Sequence, residues 1–289
     1  MIKLYTDTDT DITLLEAQKY GYKLISMPYT INGVEIYPYE DFEEFEYKKF
    51  YDELRNGTMP KTSALSPMKY IQYFEKEFEQ GNDILYVHFS KAMSGTFNAM
   101  DIAYQELLEK YPERKLYTID TKGITILSNI IVKEIGQMYL DGKSVEEIIK
   151  WANEEVDHYA TYFFADNLNF FKRSGRVSNV TAVMGNLIGV KPIIYMDDKG
   201  TMTNIGKERG RYHALQRLVS YVEELSVDIH NHKVIIGHTD SLEIAQRLER
   251  MLKEKFGENL NIEYVVVNPT AGSHCGPDTV GVAFYAKHK

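Results

Sequence analysis

A chain of 289 residues, 44% of them hydrophobic, has material for two cores of ordinary size, because single cores stop growing near about 250 to 300 residues. The formal charge of -9 argues against nucleic acid and acidic lipid surfaces as main partners, and the single cysteine, Cys275, excludes an intramolecular disulfide and a Cys-rich zinc site. No apolar run approaches the ~20 residues of a membrane span and the start Met1-Ile2-Lys3-Leu4 lacks a signal-peptide layout, so the expected location is cytoplasmic, without stable membrane insertion.

Apolar spacing predicts a strand over Ile2 to Thr6, a helix over Asp11 to Tyr20, and extended chain from Lys23 to Ile36 with a hairpin turn at Asn32-Gly33. Helices follow over Phe45 to Arg55 and from Pro67 to about Gln80, the latter with Ser66 as N-cap and proline at the first helical position. Then strands and helices alternate: strand Ile84 to Phe89, helix Gly95 to Tyr111, strand Lys115 to Ile119, helix Ile124 to Leu140, and helix Ser144 to Asp157. Such alternation marks a parallel sheet covered by helices. A domain boundary is expected near His158, giving domains over 1–158 and 159–289. In the second, strands are expected at Tyr162 to Ala165, Pro192 to Tyr195, Thr201 to Ile205, Lys233 to Gly237 and Ile262 to Val267. Helices are expected at Asn167 to Phe171, Arg211 to Leu225 and Leu242 to Phe256.

Three short runs carry the chemistry: Lys61-Thr62-Ser63, Ser94-Gly95-Thr96 and Gly272-Ser273-His274-Cys275-Gly276-Pro277. Glycine lets backbone approach a ligand, hydroxyls and free N–H groups at a helix start donate hydrogen bonds, and an imidazole carries or shares a proton. Each run lies near the carboxyl end of a strand or the start of a helix, where open α/β sheets bind ligands. The set reads as a grip for a carboxylate or phosphate at a cleft, with His274 in a loop. The chain has no Walker glycine-lysine loop and no His-Glu-x-x-His helix. Asp7, Asp9 and Asp11 alternate as in a calcium loop, but the sixth position is Ile12 instead of glycine and the twelfth Gln18 instead of glutamate. No metal is expected there; Asp7 and Asp9 are expected to accept from loop N–H groups and Asp11 to cap the next helix. A serine esterase or hydrolase built on Ser94, His274 and Asp120 or Asp240 is the enzymatic alternative, weakened by Ala92 at the first glycine position of the Gly-x-Ser-x-Gly elbow.

In combination and order, several segments carry a resemblance: Thr6-Asp7-Thr8-Asp9-Thr10-Asp11, Thr62-Ser63, Ser94-Gly95-Thr96-Phe97, Asp120, Lys172-Arg173-Ser174-Gly175-Arg176, Gly189-Val190-Lys191-Pro192-Ile193, Arg209, and His274 with Gly276-Pro277. Over nearly its whole length the chain resembles the bacterial DegV family of two-domain fatty-acid-binding proteins, similar to the acyl-carrier subunits of fatty acid kinase. The resemblance implies a DegV-like α/β fold, with a parallel-sheet N-terminal domain, a mixed-sheet C-terminal domain and the ligand at the cleft. It implies a non-enzymatic lipid carrier without a cofactor, whose ligand is a long-chain fatty acid and whose partner is the ATP-binding subunit of a fatty acid kinase. The carboxylate would be held by Thr62, Ser63, Ser94, Gly95, Thr96 and His274. The tail would run along Phe163, Phe164, Phe170, Phe171, Val183, Met184, Leu187 and Ile188, and the basic cluster Lys172, Arg173 and Arg176 would meet the partner. Ala64-Leu65, Ser174 and Cys275 stand where the family usually has Gln-Pro, glycine and threonine.

Overall fold

The computed structural model describes residues 1–178 and 189–289. In chain order the elements are β1 (Ile2–Asp7), α1 (Leu14–Tyr20), β2 (Tyr22–Ile25), β3 (Tyr29–Ile31), β4 (Val34–Ile36), α2 (Tyr47–Arg55), β5 (Lys61–Thr62), α3 (Pro67–Glu79), β6 (Asp83–His88), α4 (Thr96–Lys110), β7 (Leu116–Asp120), α5 (Ile126–Leu140) and α6 (Val145–Glu155). They continue with β8 (Tyr159–Phe164), α7 (Leu168–Ser174), β9 (Val177–Ser178), β10 (Val190–Met196), β11 (Met202–Arg209), α8 (Gly210–Leu225), β12 (Val234–His238), α9 (Leu242–Phe256), β13 (Ile262–Val266), α10 (Pro269–Cys275) and β14 (Val280–Tyr285).

The fold is α/β with one parallel and one mixed sheet, as the sequence implied. A four-stranded sheet has the order β2-β1-β6-β7, all parallel. A seven-stranded sheet has the order β13-β12-β14-β8-β10-β11-β9, with β14 antiparallel to both of its neighbours. A small third sheet, β4-β3-β5, includes the hairpin at Asn32-Gly33, whose residues have φ of 51° and 82° as a tight turn requires. Among the described residues, no helix is long and apolar enough to cross a membrane.

Helix α5 joins the layers. Apolar side chains surround most of its circumference and its first ten residues are largely buried, as expected of a helix enclosed on all sides. Its Ile130 and Ile131 share one apolar cluster with Leu4 and Leu85 of the parallel sheet and with Ile235 and Ala283 of the mixed sheet. A second cluster, including Leu215, Leu248 and Phe284, fills the space between the mixed sheet and α8 and α9.

Several local expectations are corrected. Helix α1 starts at Leu14, because Thr13 and Glu16 form a reciprocal capping box: Glu16 N donates to Thr13 Oγ1 at 3.3 Å and Thr13 N to Glu16 Oε2 at 2.9 Å. Asp11 therefore caps nothing in α1; its Oδ1 accepts from Asn268 N at 2.8 Å and Asn268 Nδ2 at 2.6 Å. The His274 segment is a helix, α10, opened by Asn268, whose side chain accepts from Ala271 N at 2.9 Å, with Pro269 at the first turn. Thr62 stands in strand β5, and β14 is a strand the spacing analysis left unassigned.

Candidate functional site

Thr62 is delivered by β5, which pairs with β3 so that Thr62 lies opposite Tyr29. Its Oγ1 is 2.9 Å from His274 Nε2, joining positions 212 residues apart in the chain. Helix α10 is pressed close to α2, since a Cβ on Gly272 would sit 2.4 Å from Tyr51 Oη, and Tyr51 Oη donates to Val267 O at 2.8 Å. These contacts fix the position of α10, the helix that carries His274.

Ser94 follows a short 3₁₀ turn, Lys91–Met93, and its Oγ accepts from Thr96 N at 3.2 Å. Gly95 is the N-cap of α4 and supplies no side-chain cap, so the only side-chain acceptor described at this helix start is the Ser94 hydroxyl on Thr96 N. Thr62, Ser63, Ser94, Gly95 and His274 all line one cavity. It holds about 1080 Å³ of empty space including its mouth, and its wall includes Met27, Phe89, Met93, Ile124, Ile126, Phe163, Met196, Met202 and Val267. Flexible methionines suit a wall that must adapt to an irregular apolar ligand.

Burial, with Arg176 and Arg173 adding to it, lowers the His274 pKa to about 4. The ring is neutral near pH 7, so one of its nitrogens donates and the other accepts. Neither acid of the hydrolase alternative is its partner. Asp120 accepts from Lys91 N at 3.2 Å and Lys122 N at 2.7 Å, and Asp240 pairs with Arg55 at 2.6 Å.

Other candidates divide. Thr96 is fully buried outside the cavity, its hydroxyl accepting from Leu65 N at 3.1 Å and 3.0 Å from Tyr70 Oη. Ser63 is exposed and donates to Glu35 Oε1 at 3.0 Å. Of the aromatic candidates only Phe163 lines the cavity. Strand alternation turns Phe164 to the opposite face of the mixed sheet, into the cluster with Leu215 and Phe284. Phe170 packs beside Tyr29, Phe50 and Tyr51. Phe171 lies in the main core, its ring 5.9 Å from that of Phe163. Val183, Met184, Leu187 and Ile188 lie outside the described residues. Lys172 and Arg173 are exposed at the end of α7. Arg176, taken with them as a docking residue, also lines the cavity, where its Nε donates to Met93 O at 3.1 Å.

Asp9 and Cys275, which the sequence reading put at the cleft, line the cavity, whereas Met196, Met202, Gly237 and Gly281 were missed. The glycines left a signal, each interrupting an apolar run: a Cβ on Gly237 would lie 2.5 Å from Ile126 Cγ2, and one on Gly281 2.7 Å from Phe163 Cβ. The aspartate run is an internal scaffold. Burial raises Asp7 to about 7 although Phe89 N, Tyr86 Oη and Asp9 N all donate to it, at 3.1, 3.0 and 3.0 Å.

Fold and cavity together define an α/β protein with a pocket lined by apolar side chains and by a cluster of polar ones. The chain belongs to the DegV family: residues 1–287 match the family described as "Uncharacterised protein, DegV family COG1307". A DegV domain-containing protein of Clostridium perfringens is 34% identical over 287 residues, covering 99% of this chain and 98% of the relative. A stearic-acid-binding protein from Eubacterium ventriosum superposes with a TM-score of 0.86 at 22% identity, covering 99% of both chains. A DegV family protein from Thermus thermophilus, described for its fatty acid binding, superposes with a TM-score of 0.85 at 21% identity, again over 99% of both chains.

Proposed function

We propose that this protein binds a long-chain fatty acid, with the carboxylate at the Thr62, Ser94 and His274 mouth and the tail in the cavity, and presents it to a separate ATP-dependent kinase for acyl-phosphate formation. The observation that carries the reading is the Thr62–His274 pair at 2.9 Å, lining a cavity whose wall includes Met27, Phe89, Met93, Phe163, Met196 and Met202. Burying a C16 chain of about 15 methylene and methyl groups supplies on the order of 12 kcal/mol gross, at roughly 0.8 kcal/mol each. Ordering and association consume much of it. A buried carboxylate costs several kcal/mol unless hydrogen-bonded; the Ser94 hydroxyl and the Thr62–His274 pair offer donors, and Arg176 offers charge. Solved relatives described as fatty-acid-binding support the same ligand class.

The kinase part rests on the resemblance and on the exposed Lys172 and Arg173 at the end of α7, a few residues before the cavity residue Arg176, which suit an acidic or nucleotide-bearing partner. Mass spectrometry of an organic extract of pure protein tests the ligand. Stoichiometric fatty acid is expected; protein that is repeatedly lipid-free and takes up no added palmitate would overturn the reading. Release of p-nitrophenol from acyl esters, abolished by Ser94→Ala, would favour the hydrolase instead.

A further inference from the structure

Of the three groups assigned to the carboxylate, two hold each other directly and the third does not. Thr62 and His274 are joined at 2.9 Å, whereas the one hydrogen bond of the Ser94 side chain among the described residues is to Thr96 N, two residues along its own chain. Ser94 ends the 3₁₀ turn Lys91–Met93, which follows the parallel strand β6, and His274 rides on α10, which follows β13 of the mixed sheet. The placing of Ser94 relative to His274 therefore depends on how that turn is seated against the mixed sheet.

The turn is opened by Ser90, which is fully buried. Its Oγ accepts from Ala92 N at 3.2 Å and its O from Met93 N at 3.1 Å, the ordinary duties of a cap. The same hydroxyl donates to Gly200 O at 2.7 Å, across 110 residues of chain. Gly200 closes the turn between β10 and β11 with φ of 75°, and a Cβ there would lie 2.2 Å from Ser90 Oγ and 3.2 Å from Lys122 Cα, so only glycine seats this closely. Asp197 stiffens the β10–β11 turn: its Oδ1 accepts from Lys199 N at 3.0 Å and Thr201 N at 2.9 Å, and its Oδ2 from Thr201 Oγ1 at 2.5 Å and Thr203 Oγ1 at 3.1 Å. The strand residues flanking it, Met196 and Met202, pair with each other and line the cavity. Ser90 N in turn donates to Gly123 O at 2.6 Å, at the start of the stretch that gives Ile124 and Thr125 to the cavity wall.

We infer that Ser90 is a positioning residue for the carboxylate grip: its bond to Gly200 seats the β10–β11 turn of the mixed sheet against the turn that carries Ser94, and so holds Ser94 in place relative to Thr62 and His274. The inference rests on the fatty-acid reading of the cavity. Ser90 does not itself line the cavity and acts only through Ser94. A donor held in its bound position before the ligand arrives spares the cost of ordering it on binding. Without the Gly200 bond that cost falls on the ligand, and affinity drops by way of Ser94 alone.

The test is a double-mutant cycle on delipidated protein, titrated calorimetrically with palmitate. Ser90→Ala is expected to weaken binding about tenfold in the wild-type background and less than about twofold where Ser94 is already alanine. In the carbon NMR spectrum of bound, labelled palmitate, the same variant is expected to move the carboxyl resonance and leave the terminal methyl resonance in place. An equal loss in both backgrounds, or an affinity unchanged by Ser90→Ala, overturns the proposal and leaves the fatty-acid reading standing. Palmitate that fails to bind the wild type overturns both. Should Ser90→Ala fold poorly, Asp197→Asn loosens the β10–β11 turn from the other side of the contact; its smaller loss of affinity is expected to vanish in the Ser94→Ala background, and a loss that persists there overturns the proposal.

Discussion

At the mouth of the cavity, Thr62 and His274 approach to 2.9 Å from elements 212 residues apart, whereas along the inner wall Gly237 and Gly281 let Ile126 and Phe163 close in by having no side chain at all. The mouth is made by adding polar groups that bond to each other. The wall is made by leaving volume out. Polar substitutions at the mouth are therefore expected to act on ligand affinity, and volume changes at the wall on packing and chain accommodation.

The sharpest way to break this division is at the mouth. Ser94→Ala combined with His274→Ala is expected to weaken palmitate binding by about 2 to 5 kcal/mol, because an enclosed anion loses two partners, while the circular dichroism spectrum stays unchanged. A change within error in a calorimetric titration would place the carboxylate elsewhere. The pH dependence of His274 comes next. Its folded pKa of about 4 lies below the ordinary 6.5, so between those values the unfolded chain binds a proton that the folded chain refuses. The neutral ring's contribution is whole above pH 6.5 and declines as pH falls towards 4. Relative to His274→Gln, the wild type should lose about 3 kcal/mol across that window. Asp7 and Asp11, raised to about 7 by burial, work in the opposite direction, gaining stability as pH falls, but they are common to both proteins and cancel in the difference. An imidazole NMR titration centred near 6.5 would remove the burial claim.

At the wall, Gly237→Ala puts a methyl 2.5 Å from the β-branched Ile126 Cγ2, and overpacking of this kind costs about 1 to 3 kcal/mol. A lowered urea midpoint with an unaltered m-value is expected, with longer acids losing more affinity than shorter ones. The smallest effect is expected outside the cavity. Lys172→Ala with Arg173→Ala should leave fatty-acid occupancy intact and slow acyl-phosphate formation with the kinase, by about 1 kcal/mol or less per charge, in a salt-sensitive way. Unchanged turnover at low carrier concentration would reduce both residues to solvated turn charges.

What the sequence made legible follows the same split. Parallel strands such as β6 announce themselves as short apolar runs followed by a helix start, and Ser66-Pro67 marked the beginning of α3. Ser94 and His274 were legible as cavity residues because each stands beside or near glycine in a polar run, and Thr62 because it is paired with a second hydroxyl at Ser63. Thr96 looked identical to Ser94 in sequence, but the helix it opens turns its hydroxyl inward to Leu65 and Tyr70. Phe163 and Phe164 are alike in composition, and only the pleat of β8 decides which one meets the cavity. Helix α10 was obscured by Gly272 and Ser273, poor helix formers that its packing on Tyr51 tolerates and even requires. Asp9 was read, like Asp7, as a loop-bonding acid, but its Oδ1 and Asp11 Oδ2 have no partner among the described residues, which nothing in an alternating run announces.

Strand β14 lies in the interior of the seven-stranded sheet, between β12 and β8, although it is the last strand in chain order. As a nascent chain lengthens, the parallel sheet has all its strands by Asp120, while the mixed sheet remains split until Val280 to Tyr285 insert between segments made long before. His274 arrives just ahead of that insertion, so the mouth cannot exist in a chain whose folding has not finished. A ligand that binds only the finished form adds to its stability by mass action. Occupancy is then expected only in molecules that have closed the sheet.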